Sequence, residues 1–181
     1  MTLQLAHYWA LGEKQPRGEL LLSGGLASYN VYECADGRYL ALGALEPKFW
    51  QAFCELVEHP EWQELIYARG KERDRLQKAL KRLFKTKTRE QWLALAGDRD
   101  LCLTPVLELD ELEQDPQLQA REMIIEQYHP AVGKIKGLGL PLKFSESQPS
   151  PPTPAPLLGQ DTEEVLREVG WYSAKASGTD K

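Results

Sequence analysis

The chain has 181 residues, 42% of them hydrophobic and 27% charged, with a net charge of −5. That composition suits a globular protein of one medium domain, or a small domain with an appended segment. The apolar runs fall far short of the roughly 18 residues a membrane span needs, and the residues after Met1 carry neither a basic leader nor a small-residue cleavage site, so neither a membrane partner nor secretion is expected.

Residues 3–11 read as an amphipathic helix that stops at Gly12, with Pro16 and Gly18 breaking the chain beyond it. Gly24-Gly25 follows, a pair free to take backbone angles that other residues resist. The pattern then changes to strands. Tyr29–Glu33 and Tyr39–Gly43 flank Ala35-Asp36-Gly37, and Asp-Gly is a strong hairpin signal. Pro47 stands where a first helical position should be, and Phe49, Trp50, Phe53, Leu56 and Val57 form one apolar stripe up to His59-Pro60.

A second helix is predicted over 72–85, burying Leu76, Leu80, Leu83 and Phe84. Thr88 with Gln91 is a capping-box pattern opening a short helix to Gly97. Residues 101–107 read as a buried strand or extended segment whose Pro105 argues for an edge or a turn. Short helices are predicted over 108–113 and 116–120, and a strand over 123–128. Beyond His129-Pro130, three glycines (133, 137, 139) interrupt a strand-like stretch. The run 148–156 contains five prolines and predicts a stiff polyproline arm. Asp161 is placed to cap a last helix carrying Val165, Leu166 and Val169, with a frayed tail from Ser173. These shifts divide the chain into an entry segment (1–25), a small α+β domain (26–128) and a C-terminal segment (129–181).

The charge is uneven. Residues 71–90 hold nine Lys or Arg against three acids, a local +6 that leaves −11 for the remainder. Such a patch can meet nucleic acid or the phosphates of a nucleotide-like cofactor. Phe84 is the segment's one aromatic, so a solvated helix face is preferred to nucleic-acid binding. Cys34, Cys54 and Cys102 are odd in number and widely spaced, which fits reduced structural thiols in a cytoplasmic protein. His7, His59 and His129 have no metal-ligand spacing, so no metal is expected. No nucleophile elbow, phosphate-binding loop or dinucleotide fingerprint occurs.

One carboxylate stands out on local grounds. Glu46 lies between a strand and the first turn of a helix, near the partial positive charge of free N–H groups. It can act as a base or orient a histidine, or it can simply cap the helix.

The run from Asp36 to Trp50, with Gly43-Ala44-Leu45-Glu46-Pro47-Lys48-Phe49 inside it, resembles the small-domain signature of family III CoA-transferases of the CaiB/BaiF type, in the α-methylacyl-CoA racemase branch. Further parts fit in order: Phe84–Trp92, Cys102–Leu107, Asp115-Pro116-Gln117, Arg121, and Ala155–Leu166. The resemblance covers residues 18–172. It departs at Gly24-Gly25-Leu26-Ala27-Ser28, where the family pattern is Gly-Gly-Ala-Pro.

The resemblance implies an α+β small domain, a β-hairpin plus helices, whose proline-rich arm and last helix return to a Rossmann-like large domain outside this sequence. It implies an acyl-CoA thioester substrate, no permanently bound cofactor, and two chains interlocked as a homodimer or a separate partner bearing the N-terminal half. The CoA nucleotide and the catalytic aspartate are expected on the large domain. In racemase-like members a histidine of that domain pairs with the Glu-Pro glutamate across the dimer. Here that glutamate is Glu46, with Leu45 and Pro47 beside the acyl chain and the Gly24-Gly25 loop near it. The reaction implied is 2-methylacyl-CoA racemisation or CoA transfer between carboxylic acids, and the chain alone is expected to be inactive. The alternative is a non-catalytic interaction module that keeps the fold.

Overall fold

The structure is a computed structural model in which residues 2–12, 14, 17–147, 149–150 and 152–171 are described. Pro16, Gln148, Pro151 and the tail from Ser173 lie outside the described residues. The chain forms two compact units, residues 1–107 and 108–181.

The first unit opens with α1 (Thr2–Leu11), and Gly12 leaves it with φ of 71°. This helix buries little of the apolar surface the sequence gives it, and Trp9 is 74% exposed. Strands β1 (Tyr29–Glu33) and β2 (Tyr39–Gly43) pair antiparallel, with Tyr29 opposite Gly43 and Glu33 opposite Tyr39. β3 (Leu103–Val106) joins β2 antiparallel, giving the order β1-β2-β3. Pro105 therefore lies on an outer strand, where its missing N–H leaves no gap inside the sheet. The helices are α2 (Pro47–Leu56), α3 (Gly70–Phe84) and α4 (Arg89–Ala96), with a 3-10 turn at Pro60–Leu65.

Strand alternation fixes which side is core. Tyr32, Leu40 and Leu42 are buried, while their neighbours Val31, Tyr39 and Ala41 lie on the opposite face. Trp50 and Phe53 of α2, Leu76, Leu80 and Phe84 of α3, and Trp92 of α4 belong to the same core. Phe84 is its hub. Its ring centroid lies 4.8 Å from Tyr32, 5.9 Å from Phe53 and 5.3 Å from Trp92. Buried polar tips are satisfied: Tyr32 Oη donates to the Ala27 carbonyl at 2.6 Å, and Trp92 Nε1 to the Phe84 carbonyl at 2.9 Å. The expected capping box is formed, Thr88 Oγ1 accepting from the Gln91 N–H at 3.2 Å and Gln91 Oε1 from the Thr88 N–H at 3.0 Å. Asp36 in the hairpin turn accepts from the Arg89 N–H at 3.3 Å, tying the turn to the start of α4.

The second unit contains a 3-10 turn (Leu112–Gln114), α5 (Pro116–Ala120), β4 (Ile124–His129), β5 (Gly133–Leu138) and α6 (Thr162–Glu168). The helix expected over 108–113 is this short turn. β4 and β5 form an antiparallel hairpin, so the sequence boundary after Tyr128 falls inside a strand. Asp115 caps α5 by accepting from the Leu118 N–H at 2.8 Å. Asp161 makes no such bond. Its φ of −100° and ψ of 7° lack the extended geometry that aims a cap side chain at the helix start.

Candidate functional site

The corner between β2 and α2 is fixed from several sides. The Gly43 N–H donates to the Cys102 carbonyl at 2.8 Å, the Ala44 N–H to the Ser28 carbonyl at 3.0 Å, and the Leu45 N–H to the Gly43 carbonyl at 2.9 Å. Tyr67 Oη donates to the Leu45 carbonyl at 2.9 Å. The segment carrying Tyr67 is itself anchored, Trp50 Nε1 donating to the Trp62 carbonyl at 2.8 Å and Ser28 Oγ to the Ile66 carbonyl at 3.0 Å. A rigid bracket of this kind is what a precisely held side chain needs.

Glu46 sits at the apex. It occupies the N-cap with φ of −84° and ψ of 140°, and Pro47 takes the first helical position as predicted. Its carbonyl accepts from the N–H groups of Phe49 and Trp50, at 3.1 and 3.2 Å. The carboxylate makes no cap hydrogen bond and the residue is exposed. Thus the backbone starts the helix, and the side chain is left available to another group.

Leu45 is half-buried and Pro47 exposed on either side of Glu46. The Gly24-Gly25 loop has its own structural logic. A Cβ on Gly25 would collide with the carbonyl oxygens of Glu19 and Leu20, and one on Gly24 would lie 2.6 Å from the Gly18 carbonyl oxygen. Gly24 also has φ of 96°. Gly24 lines a concavity of about 460 Å³ with Tyr29, Asn30, Gly43, Cys102 and Thr104. Gly25 is buried and does not reach it, nor do Leu45, Glu46 and Pro47.

Two residues near the corner were not singled out from sequence. Tyr67 lies 22 positions from the carbonyl it holds, and no local pattern signals that contact. Cys102, read as a structural thiol, has φ of 49° in the left-handed region. Burial pushes its thiol pKa up, Asp100 and Glu46 add to the rise, and Lys48 opposes it. Cys102 therefore feels the charge of Glu46 across the corner.

His59 and His129 serve local structure. His59 stacks on Trp62 with centroids 3.9 Å apart and its Nδ1 lies 2.8 Å from Glu61, while His129 Nδ1 accepts from the Ala131 N–H at 3.1 Å. Among the described residues no three His, Cys, Asp or Glu side chains cluster as a metal site would, and no helix is long and apolar enough to cross a membrane.

The family model described as CoA-transferase family III matches residues 1–162. The chain belongs to that family. It is 28% identical to a formyl-CoA:oxalate CoA-transferase of Rhodopseudomonas palustris (strain BisA53), over 93% of this chain and 43% of the relative. A human succinyl-CoA:glutarate CoA-transferase is 27% identical over 96% and 41%, and a mouse alpha-methylacyl-CoA racemase 29% identical over 87% and 41%. A CaiB/BaiF family protein from Brucella suis shares the fold with a TM-score of 0.65 at 21% identity, over 92% of this chain and 44% of that one. The mixed α+β character and the β-hairpin read from sequence agree with this fold. The chain spans less than half the length of each of these relatives.

Proposed function

We propose that this chain is the small-domain part of an acyl-CoA enzyme, and that Glu46 is its catalytic contribution. The observation that carries the reading is the corner itself: in a chain of this family, an exposed carboxylate at a helix N-cap is held by a braced backbone and spent on no cap bond. The same match weighs against a purely non-catalytic module.

The chemistry follows from the residue types. A thioester carbonyl makes the adjacent C–H removable, and racemisation requires proton removal on one face and return on the other. Glu46 beside an imidazole from the N-terminal half raises that imidazole's basicity and fixes its tautomer. In the transfer reading, a carboxylate nucleophile attacks the thioester carbonyl and CoA leaves as the thiolate. Asp36 is not assigned that role, since it lies in the hairpin turn and ties it to the start of α4. In this reading Leu45 and Pro47 flank the acyl side of the carboxylate, and of the Gly24-Gly25 pair Gly24 is the residue open to a ligand, Gly25 being buried. The functional unit is a cytoplasmic interlocked homodimer in a longer chain, or an assembly with a separate N-terminal-half partner, with acyl-CoA as substrate and no permanently bound cofactor.

The test is complementation. This chain mixed with the N-terminal half of its own enzyme is expected to exchange the α-proton of 2-methylacyl-CoA in heavy water, or to move CoA from an acyl-CoA to an acceptor acid. Neither half alone should do so. An assembled complex with neither activity contradicts the reading.

A further inference from the structure

The outer face of the β1-β2 hairpin and the last turns of α3 enclose a concavity of about 560 Å³, within the size range of small-ligand pockets. Its apolar lining includes Val31 and Tyr39, 50% and 41% exposed. Its charged lining is Lys81, Arg82 and Lys85 against Glu33, a net of +2. Lys85 is already spent on Glu33, at 2.6 Å. Lys81 and Arg82 have no ion-pair partner among the described residues. Both stand in the last turn of α3, whose C-terminal partial charge is only about half a unit and cannot account for two full cations.

We infer that this concavity binds a nucleoside diphosphate group, with its base against Tyr39 and Val31 and its phosphates on Lys81 and Arg82. The charge matches: a diphosphate brings two to three negative charges, by order of magnitude what the lining offers. One exposed ring beside cations suits one base. A nucleic-acid strand needs successive stacking surfaces, which the lining lacks. An acidic peptide adding as a strand to β1 finds the Val31 N–H already bonded to Asn30 Oδ1 at 2.9 Å. The same chemistry is presented by a free nucleotide and by the nucleotide end of CoA. The inference does not rest on the role proposed for Glu46.

Calorimetric titration of the chain with ADP, adenosine, inorganic pyrophosphate and CoA tests it. ADP is expected to bind at least about tenfold more tightly than adenosine or pyrophosphate, because the base and the phosphates are held by different residues. Lys81→Ala with Arg82→Ala should weaken ADP by at least about tenfold, and added salt should weaken it too. Tyr39→Leu should lower affinity for ADP but not for pyrophosphate. All these side chains are exposed, so unchanged melting temperatures confirm that the variants fold, and Glu46→Gln should bind ADP as the parent does. Equal affinity for ADP and CoA assigns recognition to the shared nucleotide, and tighter CoA binding that the double variant also loses assigns CoA as the source. Absence of ADP binding at about 5 mM, an affinity weaker than any typical small-ligand site, or ADP binding untouched by the double variant, overturns the inference.

Discussion

The Tyr67 hydroxyl donates to the carbonyl of Leu45, and so clamps the peptide that leads directly into Glu46. A residue 52% exposed is thereby tied to the corner that presents the carboxylate. The ring is not needed to fill the core, which points to a role in holding the corner's geometry.

Tyr67→Phe removes that one bond and keeps the ring. The expected cost is about 0.5–1.5 kcal/mol of unfolding free energy, the range of a net intramolecular hydrogen bond, read from urea denaturation. In the assembled enzyme the variant should lose turnover more than substrate affinity, since it loosens the carboxylate and not the acyl contacts.

Phe84 is stacked on or tilted against three other core rings. Phe84→Ala should therefore cost about 3–5 kcal/mol, also measured by denaturation. A loss below about 1 kcal/mol would show that the aromatic core closes over the gap.

Gly25→Ala places a methyl against the carbonyl oxygens of Glu19 and Leu20, which are backbone atoms and cannot swing aside. The expected penalty is about 1–3 kcal/mol. A melting temperature equal to the parent's would contradict the packing described for the entry loop.

Burial raises the Cys34 thiol to about 11 and the Cys54 thiol to about 12, from an ordinary value near 9.0. The folded state thus holds these protons more tightly than the unfolded chain, so stability declines with rising pH. The contribution is complete below the ordinary thiol value and is lost as the pH climbs through the folded values. Thermal melts from pH 8 to about 11 should show a falling midpoint that is shallower in Cys34→Ala, taken relative to that variant's own value at pH 8. Thiol labelling of the native chain should reach Cys102, the least buried of the three, first.

Much of this was legible because it is local. Asp36-Gly37 between β-rich runs gives the hairpin, Pro47 gives the start of α2, and Thr88 with Gln91 gives the box that opens α4. What was not legible depends on distant partners. His59-Pro60 reads as a stop, yet the fixed φ of Pro60 starts a 3-10 turn that carries Trp62 to Trp50. Gly137 and Gly139 read as interruptions, yet they are strand and strand-end positions against which other groups pack closely. The Gln127 side chain does so at Gly137, and the Glu122 backbone at Gly139. At the corner, Glu46 with Pro47 was readable from the strand-to-helix switch. The bond from Tyr67 and the left-handed backbone of Cys102 were not, because each is imposed by tertiary packing.

The most direct test of the account is Glu46→Gln in the assembled enzyme, followed by α-proton exchange from 2-methylacyl-CoA. The amide keeps the size and the N-cap backbone but removes the charge. We expect a fall in turnover of about 10²-fold or more, the usual worth of a positioned acid–base group, with the melting temperature unchanged. Full turnover in that variant would contradict the role assigned to Glu46.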